Sequence, residues 1–102
     1  MQQRPKQIAV IGGGISGLSA AHHLQELDSR CRITLFEASD RIGGVIRSEQ
    51  QADCLVDRGA DMFTTRDPWA LDLCQRIDFD QQLISTNAKQ RRAFVVHRGK
   101  LC

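Results

Sequence analysis

The stretch Ile8 to Leu24, IAVIGGGISGLSAAHHL, decides the fold. Ile8 to Ile11 is a short apolar, β-branched run that ends in glycines, as expected of a strand buried on both faces. The next segment, Ile15 to Leu27, carries Leu18, Ala21, Leu24 and Leu27 about one helical turn apart, with Gln25 and Glu26 turned away. It reads as an amphipathic helix ended by Asp28, Ser29 and Arg30. Cys31 to Ala38, CRITLFEA, then supplies a second strand with Ile33, Leu35 and Phe36 as its apolar content. The three pieces form a β-α-β unit over residues 8–38, long enough for a parallel crossover.

Outward from this unit, GVIRSEQ and CLVDR suggest a β-hairpin, with Ala52-Asp53 in place of the Asn-Gly or Asp-Gly pair that favours tight turns. Asp67 followed by Pro68 predicts a helix start, with Asp67 as cap and Ala70, Leu73, Cys74 and Ile77 as the buried stripe. Arg92 to Val96 reads as a strand entering a tight turn at Arg98 and Gly99. The fold class is therefore α/β: a Rossmann-like β-α-β unit, then a glycine pair and hairpin over 43–63, then a helix and terminal strand over 67–102.

Composition narrows the function classes. The 102 residues include fourteen Lys or Arg and twelve Asp or Glu, a formal charge of +2 without a basic stripe, so nucleic acid is not an expected partner. Cys31, Cys54, Cys74 and Cys102 stand 20 to 28 residues apart, which suits free thiols better than a disulfide frame or zinc site. Residues 1–7 are too polar and short for a signal peptide, and the expected compartment is the cytoplasm. His22 and His23, adjacent on a helix, point about 100° apart and cannot chelate one metal together. His97 has no visible partner, Trp69 reads as packing, and Lys89, Arg91 and Arg92 as solvated charge. No residue stands out as a general base, so catalytic residues are not assigned.

The chemistry lies in the glycines. Gly12, Gly14 and Gly17 hold the G-x-G-x-x-G spacing: one for the sharp turn, one for close approach to a pyrophosphate, one for tight helix-strand packing. The helix N-terminus offers unpaired amides and a partial positive charge to phosphates. Glu37, twenty residues after Gly17, stands where a carboxylate accepts hydrogen bonds from both ribose hydroxyls and disfavours a 2′-phosphate. NAD and FAD cradles share these features. The separating feature is EASDRIGGVIR, Glu37 to Arg47, in which Gly43 and Gly44 let a second backbone segment reach the same pyrophosphate and Arg41 and Arg47 can offset its charge.

On these residues the chain resembles the flavin-dependent amine-oxidase superfamily, and the cofactor implied is FAD. From Ile8 to Leu101 it is similar to the oxygen-dependent protoporphyrinogen oxidase family, through IGGGISGLSAA, EASDRIGGVIRSE, VDRGADMFTTRDPWALDLC and LISTNAKQRRAFVVHRGKL. The resemblance implies oxidation of a porphyrinogen to the porphyrin in haem biosynthesis, with electrons passing through FAD to dioxygen. Carried over residue by residue, Gly12, Gly13, Gly14, Ile15, Ser16 and Gly17 hold the pyrophosphate and Glu37 and Ala38 the adenosine end. Arg41, Gly43, Gly44 and Val45 take the far phosphate side, and Gly59, Ala60, Asp61 and Met62 run beside the flavin ring. Some members place an arginine facing a substrate propionate at the start of the last strand. Ala93 occupies that position here, with Arg92 one place away as the substrate candidate.

The resemblance also implies a longer parent enzyme, of which this is the front portion, an incomplete part of a larger FAD/NAD(P)-binding domain. With one sheet edge and face open, the piece is expected to be marginal unless it dimerises or pairs with a partner chain, and to be inactive and without flavin when isolated. Peripheral membrane contact is compatible with it. A general flavin amine oxidase or desaturase, and a non-catalytic nucleotide-binding or interaction module, are the competing readings.

Overall fold

The computed structural model describes residues 4–90 and 92–102, and shows a mixed α/β chain of two compact units, Met1–Phe63 and Thr64–Cys102. In the first unit β1 (Gln7–Ile11) and β2 (Arg32–Phe36) pair in parallel, Ile8 opposite Ile33 and Val10 opposite Leu35. The helix α1 (Ile15–Leu27) connects them. The pairing runs one bond further at each end: the Gly12 amide donates to the Phe36 carbonyl at 2.7 Å, and the Arg32 amide to that of Lys6 at 2.8 Å.

Period-two alternation sorts the strand residues. Ile8, Val10, Ile33 and Leu35 are half-buried, while Ala9, Ile11, Thr34 and Phe36 are exposed. The expectation of a strand buried on both faces is thus corrected, because α1 covers only one face. Leu18, Ala21 and Leu24 of α1 are half-buried as the helical period requires, but Leu27, at its last position, is exposed. The helix closes where the Asp28 amide donates to the Leu24 carbonyl at 3.1 Å, and Arg30 then grips Asp28 through Nε at 3.0 Å. Among the described residues no hydrophobic side chain is fully buried, and no helix is long and apolar enough to cross a membrane.

The hairpin forms with a shorter first strand than expected. β3 (Ser48–Gln51) pairs antiparallel with β4 (Cys54–Asp57), Gln51 opposite Cys54, so the turn is the two residues Ala52 and Asp53. Residues 44–47 lie outside the strand because the glycine pair turns the chain there. Ala52 holds φ +50°, the left-handed conformation that Asn or Gly adopts more easily. Pairing continues where the Arg58 amide donates to the Arg47 carbonyl at 2.7 Å.

In the second unit α2 (Trp69–Arg76) starts one residue later than a cap at Asp67 would give. Pro68 occupies the N-cap, and no side chain caps the helix, since the Asp67 carboxylate stands one position too early. Ala70, Leu73 and Cys74 are half-buried, but Ile77 lies past the helix end and is exposed. Short 3-10 turns follow at Asp80–Gln82 and Ala88–Gln90. The expected strand from Arg92 contracts to β5 (Val96–His97), paired with β6 (Lys100–Leu101). Val95 and Cys102 exchange both backbone hydrogen bonds outside it. The turn at Arg98 and Gly99, φ +49° and +75°, has the doubly left-handed form preferred by two-residue hairpins, so it draws the pairing close to itself.

Relieving the conformation at Ala52 gives the first prediction. Ala52→Gly should stabilise the first unit by about 0.5–1 kcal/mol, the left-handed penalty removed less the added freedom of the unfolded chain. Urea unfolding of the variant beside the parent checks it, and an equal or lower midpoint contradicts the strain at this turn.

Candidate functional site

The candidate site lies where β1 ends and α1 begins. Gly12, at φ +102°, turns the chain between them. A Cβ on Gly17 would overlap the Gly12 carbonyl oxygen and come within 3.5 Å of Val10 Cγ1, so the glycine lets α1 press onto β1. Gly14 is the N-cap of α1 and no side chain caps this end. Ile15 and Ser16, in the first turn, are exposed. The amides of that turn form the positive end of the helix dipole, which suits a diphosphate.

Gly13 is the only buried residue among those described. Both sides of its backbone are satisfied: its amide donates to Glu37 Oε2 at 2.7 Å, and its carbonyl accepts from the Gly43 amide at 2.8 Å. These two bonds bring the second glycine turn against the first. A Cβ on Gly44 would sit 3.1 Å from Gly14 Cα, and Gly43 and Gly44 hold φ +109° and +60°. A backbone without side chains therefore faces the uncapped helix end from two directions, a cradle that a Cβ would begin to fill.

Glu37, one residue past β2, is half-buried. Its Oε1 accepts from the Ser39 amide at 2.8 Å and the Ser39 hydroxyl at 2.9 Å, while Oε2 takes the Gly13 amide. The Ser39 amide, then the Gly13 amide, then the Ser39 hydroxyl favour the ionised form and hold its pKa down to about 2, against an ordinary 4.5. Ala38, between them, is exposed.

The arginines next to the glycine pair are engaged with protein groups. Arg41 wraps its guanidinium onto the carbonyls of Gly44 at 2.5 Å, Ile46 at 3.2 Å and Ile42 at 3.3 Å, and so shapes the turn that carries the glycines. Arg47 pairs with Glu49 at 2.8 Å, and Arg58 meets the same carboxylate at 2.9 Å. Ser48 Oγ donates to Asp57 across the hairpin. Val45 is exposed beside Gly44. Gly59 lacks room for a side chain because a Cβ there would overlap the Val45 carbonyl oxygen, a reason within the protein itself. Ala60, Asp61 and Met62 follow as an exposed irregular segment.

Other sequence candidates sit apart from this cradle or in the second unit. Glu26 is exposed, turned away from the apolar stripe as the helical period requires, and its Oε2 lies 3.5 Å from His22 Nδ1 and 3.4 Å from His23 Nδ1, one turn back on the helix. In the second unit Lys89, Gln90, Arg92 and Phe94 line an open cleft of about 460 Å³. His97 lies opposite Lys100. Arg91 falls outside the described residues. Sequence reading missed Ser39, although a hydroxyl residue two places after an acidic strand end is a recurrent local hydrogen-bonding arrangement.

Known proteins resemble this chain over most of its length. The family model described as flavin containing amine oxidoreductase matches residues 15–101. The coproporphyrinogen III oxidase of Mycobacterium tuberculosis is 42% identical over 87 residues, 83% of this chain and 19% of its own length. Protoporphyrinogen oxidase 2, chloroplastic/mitochondrial, of Arabidopsis thaliana is 34% identical over 95 residues, 92% of this chain and 18% of its own. A crystal structure from Exiguobacterium sp. 255-15, provisionally described as a protoporphyrinogen oxidase, superposes with a TM-score of 0.78 at 31% identity. It covers 94% of this chain and 21% of that one. The chain thus spans about a fifth of the length of the curated relatives it matches.

Two outcomes are expected from the cradle. Gly17→Ala should cost about 1–3 kcal/mol through the forced separation of α1 from Gly12, read as a lowered urea midpoint. Because the folded pKa of Glu37 is depressed, its stabilising effect is complete above the ordinary value of 4.5 and is lost as pH falls toward about 2. Amide exchange at Gly13 should therefore hold steady from neutral pH to about 5 and lose protection below that, once corrected for intrinsic exchange. A protection factor flat down to pH 2 contradicts the Glu37 contact.

Proposed function

The chain belongs to the flavin-containing amine oxidoreductase family, and from that premise we propose that it forms the amino-terminal part of an FAD-dependent oxidase converting a porphyrinogen to the porphyrin, with dioxygen as acceptor. In this reading the β-α-β unit of residues 8–38 is the first piece of a larger Rossmann-like FAD-binding domain. Gly12, Gly13 and Gly14, with the first-turn amides of Ile15, Ser16 and Gly17, hold the diphosphate; Gly43, Gly44 and Val45 bring the second backbone segment to it. Glu37 receives the ribose hydroxyls. Arg41 keeps the glycine-pair turn in shape, and Gly59, Ala60, Asp61 and Met62 border the isoalloxazine.

The observation that carries this reading is the contact of Gly14 with Gly44 at the uncapped end of α1, with the Glu37 carboxylate bonded to the adjacent Gly13. A lone glycine turn serves many nucleotides, whereas two converging glycine turns beside one acid suit a dinucleotide whose diphosphate is enclosed by backbone. Bound flavin supplies hydride acceptance from the substrate and return of the electrons to dioxygen as hydrogen peroxide. This chain's residues bind and orient. The relatives named coproporphyrinogen III oxidase and protoporphyrinogen oxidase support a porphyrinogen substrate, and the 42% identity to a coproporphyrinogen III oxidase makes that the compound to test first. Arg92, in its cleft with Lys89, is the cationic candidate in this segment for a substrate carboxylate.

The test uses the polypeptide at the length of its relatives. It should purify with flavin absorbance and, in oxygenated buffer, generate porphyrin fluorescence from coproporphyrinogen III or protoporphyrinogen IX. Flavin with amine turnover and no porphyrin would move the assignment to a general amine oxidase, and a colourless protein that binds no flavin would sink the cofactor reading. In the same protein Glu37→Gln should weaken FAD binding about tenfold, the loss typical of a charge-assisted hydrogen bond, measured by flavin fluorescence quenching.

A further inference from the structure

The Glu37 carboxylate offers about four lone-pair directions, and the protein already fills three of them: the Ser39 amide and hydroxyl on Oε1 and the Gly13 amide on Oε2. Two hydroxyls of a ribose diol need two directions. One internal donor must therefore leave when the diol arrives, and the three donors differ in what each can do next. The Gly13 amide is buried and loses its acceptor if it lets go. The Ser39 amide is fixed by the chain that follows the strand.

The Ser39 hydroxyl is different, because it has a second acceptor already in place. Its Oγ lies 2.7 Å from the Arg41 carbonyl oxygen as well as 2.9 Å from Glu37 Oε1. A hydroxyl has a single proton and both partners are acceptors, so it serves one of them fully at a time. Rotation about the C–O bond suffices to change partner, with no movement of backbone. The Arg41 carbonyl opens the turn that carries Gly43 and Gly44, and the Arg41 guanidinium is committed to the carbonyls of Ile42, Gly44 and Ile46.

We propose that Ser39 is the positioning residue of this site: its hydroxyl holds the Glu37 carboxylate against Gly13, then, on arrival of a sugar diol, turns to the Arg41 carbonyl and yields its place. The inference rests on the nucleotide reading for the identity of the diol, and on the Ser39, Glu37 and Gly13 hydrogen bonds for the positioning itself. It assigns to a side chain that need not touch the ligand's phosphates the task of keeping the acidic acceptor aimed.

The experiment follows the Glu37 side-chain carboxyl and the Gly13 amide by NMR through a pH titration of the isotopically labelled 102-residue chain. In the parent the carboxyl midpoint should lie near 2. Ser39→Ala, which keeps the amide donor, should raise it by roughly one pH unit and reduce Gly13 amide protection about fivefold. Ser39→Thr, with the hydroxyl restored, should return both toward the parent. An unchanged midpoint and protection in Ser39→Ala overturns the proposal, as does an ordinary carboxyl midpoint in the parent. In the polypeptide at the length of its relatives, FAD should move the Arg41 carbonyl carbon resonance, and in Ser39→Ala that movement should vanish; no movement in the parent, or an equal movement in both, overturns the exchange of partners. None of the titration readouts requires flavin, so failure of the polypeptide at the relatives' length to bind FAD counts against the cofactor reading and leaves the titration outcome to decide the role of Ser39.

Discussion

The peptide of Gly13 is the point on which the first unit depends. It is buried where almost nothing else is, and a buried peptide left unpaired is costly, so its two hydrogen bonds are close to obligatory. One fixes Glu37 at the end of β2 to the turn after β1, and the other fixes Gly43 to the same turn. The absence of a side chain matters as much as the bonds. A Cβ on Gly13 would stand 3.0 Å from Glu37 Oε2 and 3.2 Å from Ile42 Cγ2, pressing on the carboxylate it must hold and on the residue before its other partner, Gly43.

From that constraint the electrostatics follow. The Glu37 charge is stabilised by amide and hydroxyl dipoles: the donors on its carboxylate are the Gly13 amide and the Ser39 amide and hydroxyl, with no cation among them. Arg41, which spacing alone would send toward a phosphate, instead closes on carbonyls of its own turn. The positive field at the site therefore originates mainly in backbone amides at the start of α1. Such a field is directional and short-ranged, and it selects for an anion placed at the helix end rather than for any anion nearby.

What was legible in the sequence is what short-range rules govern. The span of α1 from Ile15 to Leu27 follows from the helical period and the glycines before it, and the parallel pairing of β1 with β2 follows from the crossover between them. The meeting of Gly14 with Gly44 was readable because a side chain on Gly44, at φ +60° and 3.1 Å from Gly14 Cα, would crowd that approach. Less was legible where several partners compete for one group. Nothing in the spacing says that Arg47 takes Glu49, that Gly59 yields to the Val45 carbonyl, or that Ser39 straddles Glu37 and Arg41. Strand lengths also went astray where turns dominate: the left-handed pair Arg98 and Gly99 keeps the last hairpin to two paired residues a side by strand assignment, and the glycine pair removes residues 44–47 from β3.

The first unit shows how a ligand cradle can be specified almost independently of a core. Ile11 is 80% exposed and Val45 81%, so apolar burial contributes little at the rim of the cradle itself. The geometry is instead over-determined by hydrogen bonds from Gly12 to Phe36, Gly13 to Glu37, Gly43 to Gly13 and Arg41 to three carbonyls. Exposed hydrogen bonds are individually weak in water, and the two from Glu37 and Gly43 count for more because both end on the buried Gly13, where breaking either strands a partner. A cradle built this way keeps its shape through local bonds, while the apolar faces around it stay free to pack against further polypeptide in proteins of the relatives' length.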